Sequence, residues 1–278
     1  MGVAAKLRET RWRVAGHYSR PLGEAFVAPL RGARGLEVGG PSAVFGAGGL
    51  LPVYPVLAGV DGLQWSATTA WHKLDEHAPY APDGTPAGAL RIVDDIDLTA
   101  LSDARYDVVL SSHVIEHLAN PLRALAAWRR VTRPGGHLLM VAPHMAGTFD
   151  HRRPVTTLEH LRADRDEEVA EDDLTHLDET LRQHDRRRDA EAADPEAWAQ
   201  RRRENATTRL LHHHVFVTAS LAALLREAGL ELLAVEARHP HDIYLLGRWS
   251  EDDAVPVADP LSGALRASPF GVDRRAPR

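Results

Sequence analysis

The chain has 278 residues, of which 44% are hydrophobic, and this fits one large domain or one domain with a sizeable insertion. Its formal net charge of -6 provides no global basic field, which argues against nucleic acid as a partner. Cysteine is absent, which excludes disulfides and thiolate ligands and fits a cytoplasmic protein. No apolar run approaches the roughly 18 residues that a membrane span needs.

Short apolar runs bounded by turn residues predict buried strands from residue 35 onward. Residues 1–34 are expected to form an N-terminal helical segment; its start is charged from Lys6 and lacks the apolar core of a secretory signal. The predicted strands lie in GLEV (35–38), VYPVLAGVD (53–61), LRIVDDIDL (90–98), YDVVLSSHVIEHL (106–118) and HLLMVAPH (137–144).

A helix is predicted between the last two of these strands, in NPLRALAAWRRVTRPGG. Asn120 suits the N-cap, Pro121 suits the first helical position, and Pro-Gly-Gly ends the pattern. Alternation of strand and helix predicts an α/β fold with a doubly wound, mostly parallel sheet. In such sheets ligands bind beyond the carboxyl ends of the strands.

Residues 145–211 interrupt this alternation, because they are densely charged and helix-prone. They predict a charged helical insertion, either a solvated face or a lid over an active site. The strand and helix pattern resumes in 212–249, where the short connection before HDIYLLGRW (241–249) predicts an antiparallel last strand. Residues 250–278 are expected to form a flexible tail.

Acidic residues form an ordered series at the predicted strand ends. Glu37 ends the first strand, Asp61 is expected to end the second, and Asp94 and Asp95 follow the third. The two glycines after Glu37 allow a ligand to approach the main chain closely. An acid about 20 residues past a glycine turn commonly accepts hydrogen bonds from ribose hydroxyls, and a later one could meet an adenine amino group.

Four segments together resemble a class I S-adenosylmethionine-dependent methyltransferase of the small-molecule type. They are LEVGGPS, the acid of AGVD, VDDIDL and YDVVLSSHVIEHLANPLRALAAWRRVTRPGGHLLMVAPH. The resemblance covers about residues 30–144, and the strands in 230–249 agree with the family's seven-stranded, Rossmann-like sheet. It implies a cofactor-binding domain over 35–144 and 212–249. Pro41-Ser42 stand where the family usually has a third glycine.

The resemblance also implies which residues bind S-adenosylmethionine. The glycines would contact the methionine part, the acid of the second strand would hold the ribose, and the residues after the third strand would receive the adenine. The implied set is Glu37, Gly39, Gly40, Asp61, Asp94, Asp95, Ile96, Ser111 and Ser112.

Methyl transfer from a sulfonium depends on alignment of the acceptor, because the leaving thioether is neutral. A hydroxyl acceptor also needs a base, and histidine is the usual base near neutral pH. His113 and His144 are the candidates by position. The sequence therefore predicts methyl transfer to a small-molecule acceptor, at oxygen or nitrogen, with a methyltransferase of the 2.1.1 class as the enzyme type.

Histidines are numerous, 16 in the chain, and many follow residue 143. They can be structural, supply a base, or bind a divalent metal, because histidine and carboxylate suit zinc, iron, manganese or nickel. Such a metal could acidify a diol or catechol-like acceptor. The arginines of FDHRRP could bind a substrate carboxylate or phosphate. The metal candidates are Asp150, His151, His212, His213 and His214.

Two alternatives stay open at this point. The first is a protein of methyltransferase fold whose His/Asp metal site carries out other chemistry or only binds. The second is an NAD-dependent oxidoreductase, although the first motif lacks the full Gly-x-Gly-x-x-Gly. The sequence names neither the acceptor nor the oligomeric state.

Overall fold

A computed structural model describes residues 21–250 and 258–275. Most of the predicted N-terminal helical segment, residues 1–20, lies outside the described residues, as do 251–257 and 276–278 of the predicted tail. Residues 258–275 of the predicted flexible tail contain a helix and three buried side chains, Ser268, Phe270 and Asp273.

The centre of the described chain is an eight-stranded sheet in the order β3-β4-β2-β1-β5-β6-β8-β7. Five strands, β1, β2, β4, β5 and β6, are parallel, whereas β8 runs antiparallel between β6 and β7. The prediction of a doubly wound, mostly parallel sheet with an antiparallel last strand is confirmed, and a two-residue strand, β3, adds an eighth member. The strands are β1 Arg34–Val38, β2 Gly59–Gln64, β3 Pro79–Tyr80, β4 Gly88–Ile92, β5 Tyr106–Ser112, β6 Thr132–Pro143, β7 Leu230–Arg238 and β8 Asp242–Trp249.

The helices flank this sheet and fill the insertion. Asn120 caps α2 as predicted, because its side chain accepts from the backbone N–H of Arg123 at 3.1 Å and Pro121 takes the first turn. Among the described residues no helix has the length and apolar character that crossing a membrane requires. The α-helices are α1 Glu24–Val27, α2 Pro121–Val131, α3 Leu158–Asp166, α4 Leu177–Gln183, α5 Pro195–Arg203, α6 Asn205–Thr208, α7 Thr218–Glu227 and α8 Leu261–Ala267.

Apolar side chains cover both faces of the sheet, which explains why its strands read as continuous apolar runs. Successive residues of β5 point to opposite faces, so Val109 joins one core cluster while Val108 and Leu110 join the other. Trp128 of α2 packs into the first cluster at 2% exposure. Each fully buried side chain of this kind contributes about 1.5–3 kcal/mol. The strand ends are therefore held on a rigid platform.

Residues of the insertion are attached to this platform by buried charges. Arg153, 2% exposed, contacts Asp150 at 3.1 Å and Glu179 at 2.8 Å. It also donates to the backbone carbonyls of His212 and His213. The start of the insertion is thus bound to the segment that follows its end.

Candidate active site

A cavity of about 1510 Å³ opens at the carboxyl ends of the parallel strands. Gly39 follows β1, Trp65 follows β2, Asp94 follows β4 and His113 follows β5, and all four line it. Sheet topology favours this location for ligands. The volume exceeds the roughly 300–1,000 Å³ of a site for one drug-sized molecule, so it has room for two ligands.

The loop after β1 takes its shape from Glu37. The buried Glu37 carboxylate accepts hydrogen bonds from the hydroxyls of Tyr54 and Tyr80, both at 2.6 Å, and from the backbone N–H of Ser42 at 3.0 Å. Burial raises the pKa of Glu37 against the opposing effect of these bonds. Glu37 does not line the cavity; it fixes the glycine loop from behind.

The two glycines of this loop have different roles. Gly39 lines the cavity with φ of +81°, and a Cβ there would overlap the side chain of Val114. Gly40 lies behind the loop, where a Cβ would overlap Glu37. Pro41 also lines the cavity, at the place where the family usually has its third glycine. The loop therefore presents main chain to a ligand at Gly39.

Asp61 is not at the cavity, and the expectation that it ends the second strand is wrong. It lies inside β2, which continues to Gln64, and it is 2% exposed. Its carboxylate accepts from the hydroxyl of Tyr106 at 2.8 Å and the backbone N–H of Ala89 at 3.0 Å. Burial is outweighed by these bonds and by nearby arginines, which lower the pKa of Asp61. A carboxylate satisfied in this way is not available to a ribose.

Gln64 is the last residue of β2 and Trp65 follows it; the sequence analysis identified neither as a site residue. Both line the cavity. The Gln64 side-chain amide donates to the backbone carbonyl of Gly40, which joins β2 to the glycine loop. The guanidinium of Arg209, from the insertion, lies 5.7 Å from the Trp65 ring centroid. The available signal was the run VDGLQW, which extends the strand three residues past Asp61.

Asp94, Asp95 and Ile96 line the cavity after β4. Asp95 accepts from the backbone N–H and hydroxyl of Thr99 at 2.9 and 2.6 Å, and these bonds lower its pKa. Asp94 lies 2.9 Å from a guanidinium nitrogen of Arg209. The structure therefore brings the predicted adenine-side residues to the cavity, and their contact with a cofactor stays a prediction.

Residues after β5 divide between the cavity and the core. Ser112 lines the cavity, whereas Ser111, one position earlier in the strand, is fully buried and points away. His113 lines the cavity, with Nε2 3.1 Å from Asp242 Oδ1 and Nδ1 3.6 Å from Glu116 Oε1. Burial lowers the pKa of His113, but the two carboxylates outweigh it and raise the pKa to about 10. Both ring nitrogens of His113 thus face carboxylates, and its role as a base stays a prediction.

A second histidine of the same wall has the opposite character. His117 Nδ1 lies 3.2 Å from the backbone carbonyl of Leu211, so this nitrogen carries the proton and Nε2 is left as an acceptor. Burial and the neighbouring His212 lower the pKa of His117 to about 3. The wall as a whole carries two carboxylates and four histidines: Glu116, Asp242, His113, His117, His212 and His241.

His144 does not face the cavity, which contradicts its predicted role as a base. It is fully buried, with Nε2 3.2 Å from Asp273 Oδ1 and its ring stacked on Phe270 at 3.9 Å. Asp273 also accepts from the hydroxyl of Thr218 at 2.6 Å. His144 follows β6 as predicted, but its side chain packs against the C-terminal segment and has a structural role.

The predicted metal ligands do not converge on one point. Asp150 Oδ2 lies 2.6 Å from His212 Nδ1, and its other oxygen is bound by Arg153. His151 pairs instead with Asp185 at 3.0 Å. The ring of His212 alone of these candidates lines the cavity. The sequence pattern showed the histidines but not which elements would bring them together.

His213 and His214 point away from the cavity. His213 Nε2 lies 3.1 Å from the side-chain nitrogen of Asn205. His214 is 1% exposed and lies beside other histidines of the insertion. The arginines of FDHRRP are also engaged within the protein, Arg153 as described above and Arg152 with Asp185 at 3.2 Å. The expectation that they bind a substrate anion is not met.

Comparison with known proteins identifies the family. Residues 11–235, which are most of the chain, match the family model of a methyltransferase domain. The chain belongs to the methyltransferase domain family. This chain is also similar to a curated protein, the uncharacterized 37.1 kDa protein in transposon TN4556 of Streptomyces fradiae. The two are 37% identical over 71 residues. That match spans 26% of this chain and 20% of the relative.

Solved structures of similar fold include three bacterial proteins. A SAM-dependent methyltransferase of Aquifex aeolicus is 14% identical at a TM-score of 0.42, covering 82% of this chain and 92% of its own. An S-adenosylmethionine-dependent methyltransferase of Mesorhizobium loti is 14% identical at a TM-score of 0.46, and the match covers 81% of this chain and 94% of that protein. A possible histamine N-methyltransferase of Thermotoga maritima is 16% identical at a TM-score of 0.41, and the match covers 87% of this chain and 95% of that protein. These similarities concern the fold alone.

Proposed function

We propose that this methyltransferase transfers the methyl group of S-adenosylmethionine to a small-molecule acceptor, at oxygen or nitrogen. One observation carries the proposal: a continuous cavity of about 1510 Å³ joins the ends of β1, β2 and β4 to a wall of histidines and carboxylates. The first part suits a nucleoside with an amino-acid tail. The second part offers polar groups to an acceptor.

Three residues would hold the cofactor. Gly39 allows its methionine part to approach the main chain, and Trp65 provides an aromatic face for the nucleoside. Asp94, with the backbone after it, faces the end where the adenine would lie. When bound, S-adenosylmethionine supplies an electrophilic methyl group on a sulfonium whose leaving group is neutral.

The acceptor must lie in line with that methyl group, and the polar wall provides the orientation. The Nε2 of His117 can accept a hydrogen bond from an acceptor O–H or N–H, because Nδ1 is held by Leu211. Glu116, 1% exposed, lines the cavity; its Oε1 is paired with His113 Nδ1 at 3.6 Å, beyond hydrogen-bond distance, and neither carboxylate oxygen has a hydrogen-bond partner within residues 21–250 and 258–275. Glu116 therefore offers a second acceptor for the same ligand.

The insertion would close the site and exclude water. Arg187, Arg188, Arg209 and Leu210 all line the cavity opposite the strand ends. Arg209 contacts Asp94 and Glu171, both at 2.9 Å, and so joins the insertion to the end of β4. This arrangement supports a lid that selects the acceptor.

Calorimetric titration of the full chain with S-adenosylmethionine, with NAD as the control ligand, tests the cofactor. We expect S-adenosylmethionine to bind and NAD not to bind. Trp65→Ala should weaken the binding about 10-fold or more, since stacking on an aromatic ring contributes about 1–3 kcal/mol per base. Asp103→Ala, an exposed acid outside the cavity, is the matched control and should bind normally. Equal response to both ligands contradicts the proposal.

A further inference from the structure

Three histidines and one carboxylate meet where the insertion contacts the segment after its end, outside the cavity described above. His160 Nε2 and His176 Nε2 are 2.9 Å apart. Asp164 Oδ2 is 3.5 Å from His160 Nε2 and 3.7 Å from His214 Nε2. One ring nitrogen of each histidine lies within 4.8 Å of those of the other two. We name these four residues the insertion quartet.

Two of these separations are close to those between neighbouring ligands of a tetrahedral metal ion. Zinc binds histidine nitrogen and carboxylate oxygen at about 2.0–2.2 Å, so neighbouring ligand atoms of a tetrahedron are about 3.3 Å apart. The 2.9 Å between His160 Nε2 and His176 Nε2 and the 3.5 Å between His160 Nε2 and Asp164 Oδ2 bracket this value, and His214 offers its Nδ1 to the same group. His160 and Asp164 are four residues apart on α3, a spacing that places both side chains on one face of the helix.

Hydrogen bonds within the protein do not satisfy this group. His160 and His176 can share one proton, but Asp164 Oδ2 and His214 Nδ1 are buried and have no hydrogen-bond partner in the described part of the chain. His214 Nε2 lies 3.3 Å from the backbone carbonyl of Ala119. A ring whose one nitrogen bonds to a carbonyl is held with its other nitrogen available to a metal.

The charges nearby also favour a cation. Asp164 has two further carboxylates, Asp173 and Glu167, close enough to interact with it electrostatically. A zinc ion with three neutral imidazoles and one carboxylate carries a net positive charge, and the negative charge of these two acids would stabilise it. No cysteine exists in the chain, so a nitrogen and oxygen ligand set is the one it can build.

We propose that the insertion quartet, His160, Asp164, His176 and His214, binds one structural zinc ion. The ligands come from α3, from the loop before α4 and from the segment that precedes α7. The backbone N–H of His214 donates to the carbonyl of Glu116 at 3.2 Å, so the ion would fasten the insertion to the wall of the cavity. The ion takes no part in the transfer of the methyl group.

Metal content of the purified full chain tests the site, with zinc alone as the probe and any histidine tag removed. We expect one zinc per chain, and a melting temperature that falls on chelation and recovers when zinc is added. His160→Gln and Asp164→Asn should weaken zinc binding at least about 100-fold. His160 is 39% exposed, so His160→Gln is expected to fold whether or not the site exists.

Two controls identify the ion's position. His151→Gln changes a histidine of the insertion that pairs with Asp185, and His117→Gln changes a histidine of the cavity wall. Both should retain zinc. The proposal is overturned if the wild-type chain binds no stoichiometric zinc, if the two quartet variants retain it, or if His117→Gln loses it while they do not. Cobalt loaded in place of zinc should show the visible absorption of tetrahedral coordination, lost in the quartet variants.

Discussion

His212 Nδ1 donates to Asp150 Oδ2 at 2.6 Å, and this bond joins the beginning of the insertion to the residue that follows its end. Asp150 is held in turn by Arg153, whose side chain is 1% exposed. His212 also lines the cavity. A single buried carboxylate therefore sets both the closure of the insertion and the orientation of a ring on the cavity wall.

The first prediction concerns this carboxylate. Asp150→Asn should lower the free energy of unfolding by about 3 kcal/mol, because it removes one partner of a buried ion pair. Urea unfolding measures this effect. Asp166→Asn changes an acid of the insertion that is 65% exposed, and it should shift the unfolding free energy by less than about 0.5 kcal/mol. Equal stability of the two variants would contradict the structural role of Asp150.

Acid sensitivity should depend on Asp61. Its folded-state pKa is lowered, so its contribution to stability is present above the unfolded value of about 3.9 and is lost as the pH falls through the folded value. Asp61→Asn should destabilise the protein at pH 7 by about 1–3 kcal/mol, and the difference should shrink toward pH 2. Melting temperatures across this range measure it. Affinity for S-adenosylmethionine should not change, whereas a large loss of affinity would restore Asp61 to the binding site.

Glu37 should affect binding through the loop that it supports. Glu37→Gln weakens the bonds to Tyr54, Tyr80 and the backbone of Ser42, at a cost of about 1–3 kcal/mol in stability. The glycine loop would then be held less firmly, and S-adenosylmethionine should bind more weakly in calorimetry. Glu76→Gln, at a side chain 56% exposed, is the control. Unchanged affinity in a folded Glu37→Gln protein would separate this residue from the site.

Two histidine variants should have opposite consequences. His117→Gln should lower kcat by about 10²-fold or more while KM for S-adenosylmethionine stays the same, because His117 faces the acceptor side. His144→Gln should lower the melting temperature and leave kcat unchanged, because His144 is bound to Asp273 away from the cavity. Steady-state kinetics with thermal unfolding distinguishes them. A loss of kcat in His144→Gln alone would reverse the assignment.

Local sequence patterns were sufficient for the alternation of strand and helix and for helix α2, but they did not show β3 or the end of β2. The cap of Asn120 and the proline after it act over four residues, so the sequence shows them directly. The position of the residues after β4 was also predictable, because parallel strands end at one edge of the sheet, where the cavity lies. The prediction for Asp61 was wrong because the sequence does not distinguish an acid inside a strand from an acid at its end. Only the structure shows the arginines and the tyrosine that surround its buried carboxylate.

The polar wall could not be predicted, because its parts are far apart in sequence. Asp150 and His212 are 62 residues apart, and His113 and Asp242 are 129 residues apart. No spacing rule connects such residues; their proximity follows from the path of the insertion and from the antiparallel return of β8. For His144, the sequence predicts the position after β6 but not the direction of the side chain. That direction depends on contact with Phe270, which is distant in sequence.

The ion pairs of Arg209 bear on the order of events in a catalytic cycle. Arg209 spans from the insertion to Asp94, across the end of the cavity assigned to the adenine. If the nucleoside of the cofactor lies under this bridge, as proposed above, its release requires the pair with Asp94 to open. Opening of this pair would then be one step in the release of the spent cofactor. Added salt, which screens this pair, should speed its departure more than that of the methylated product.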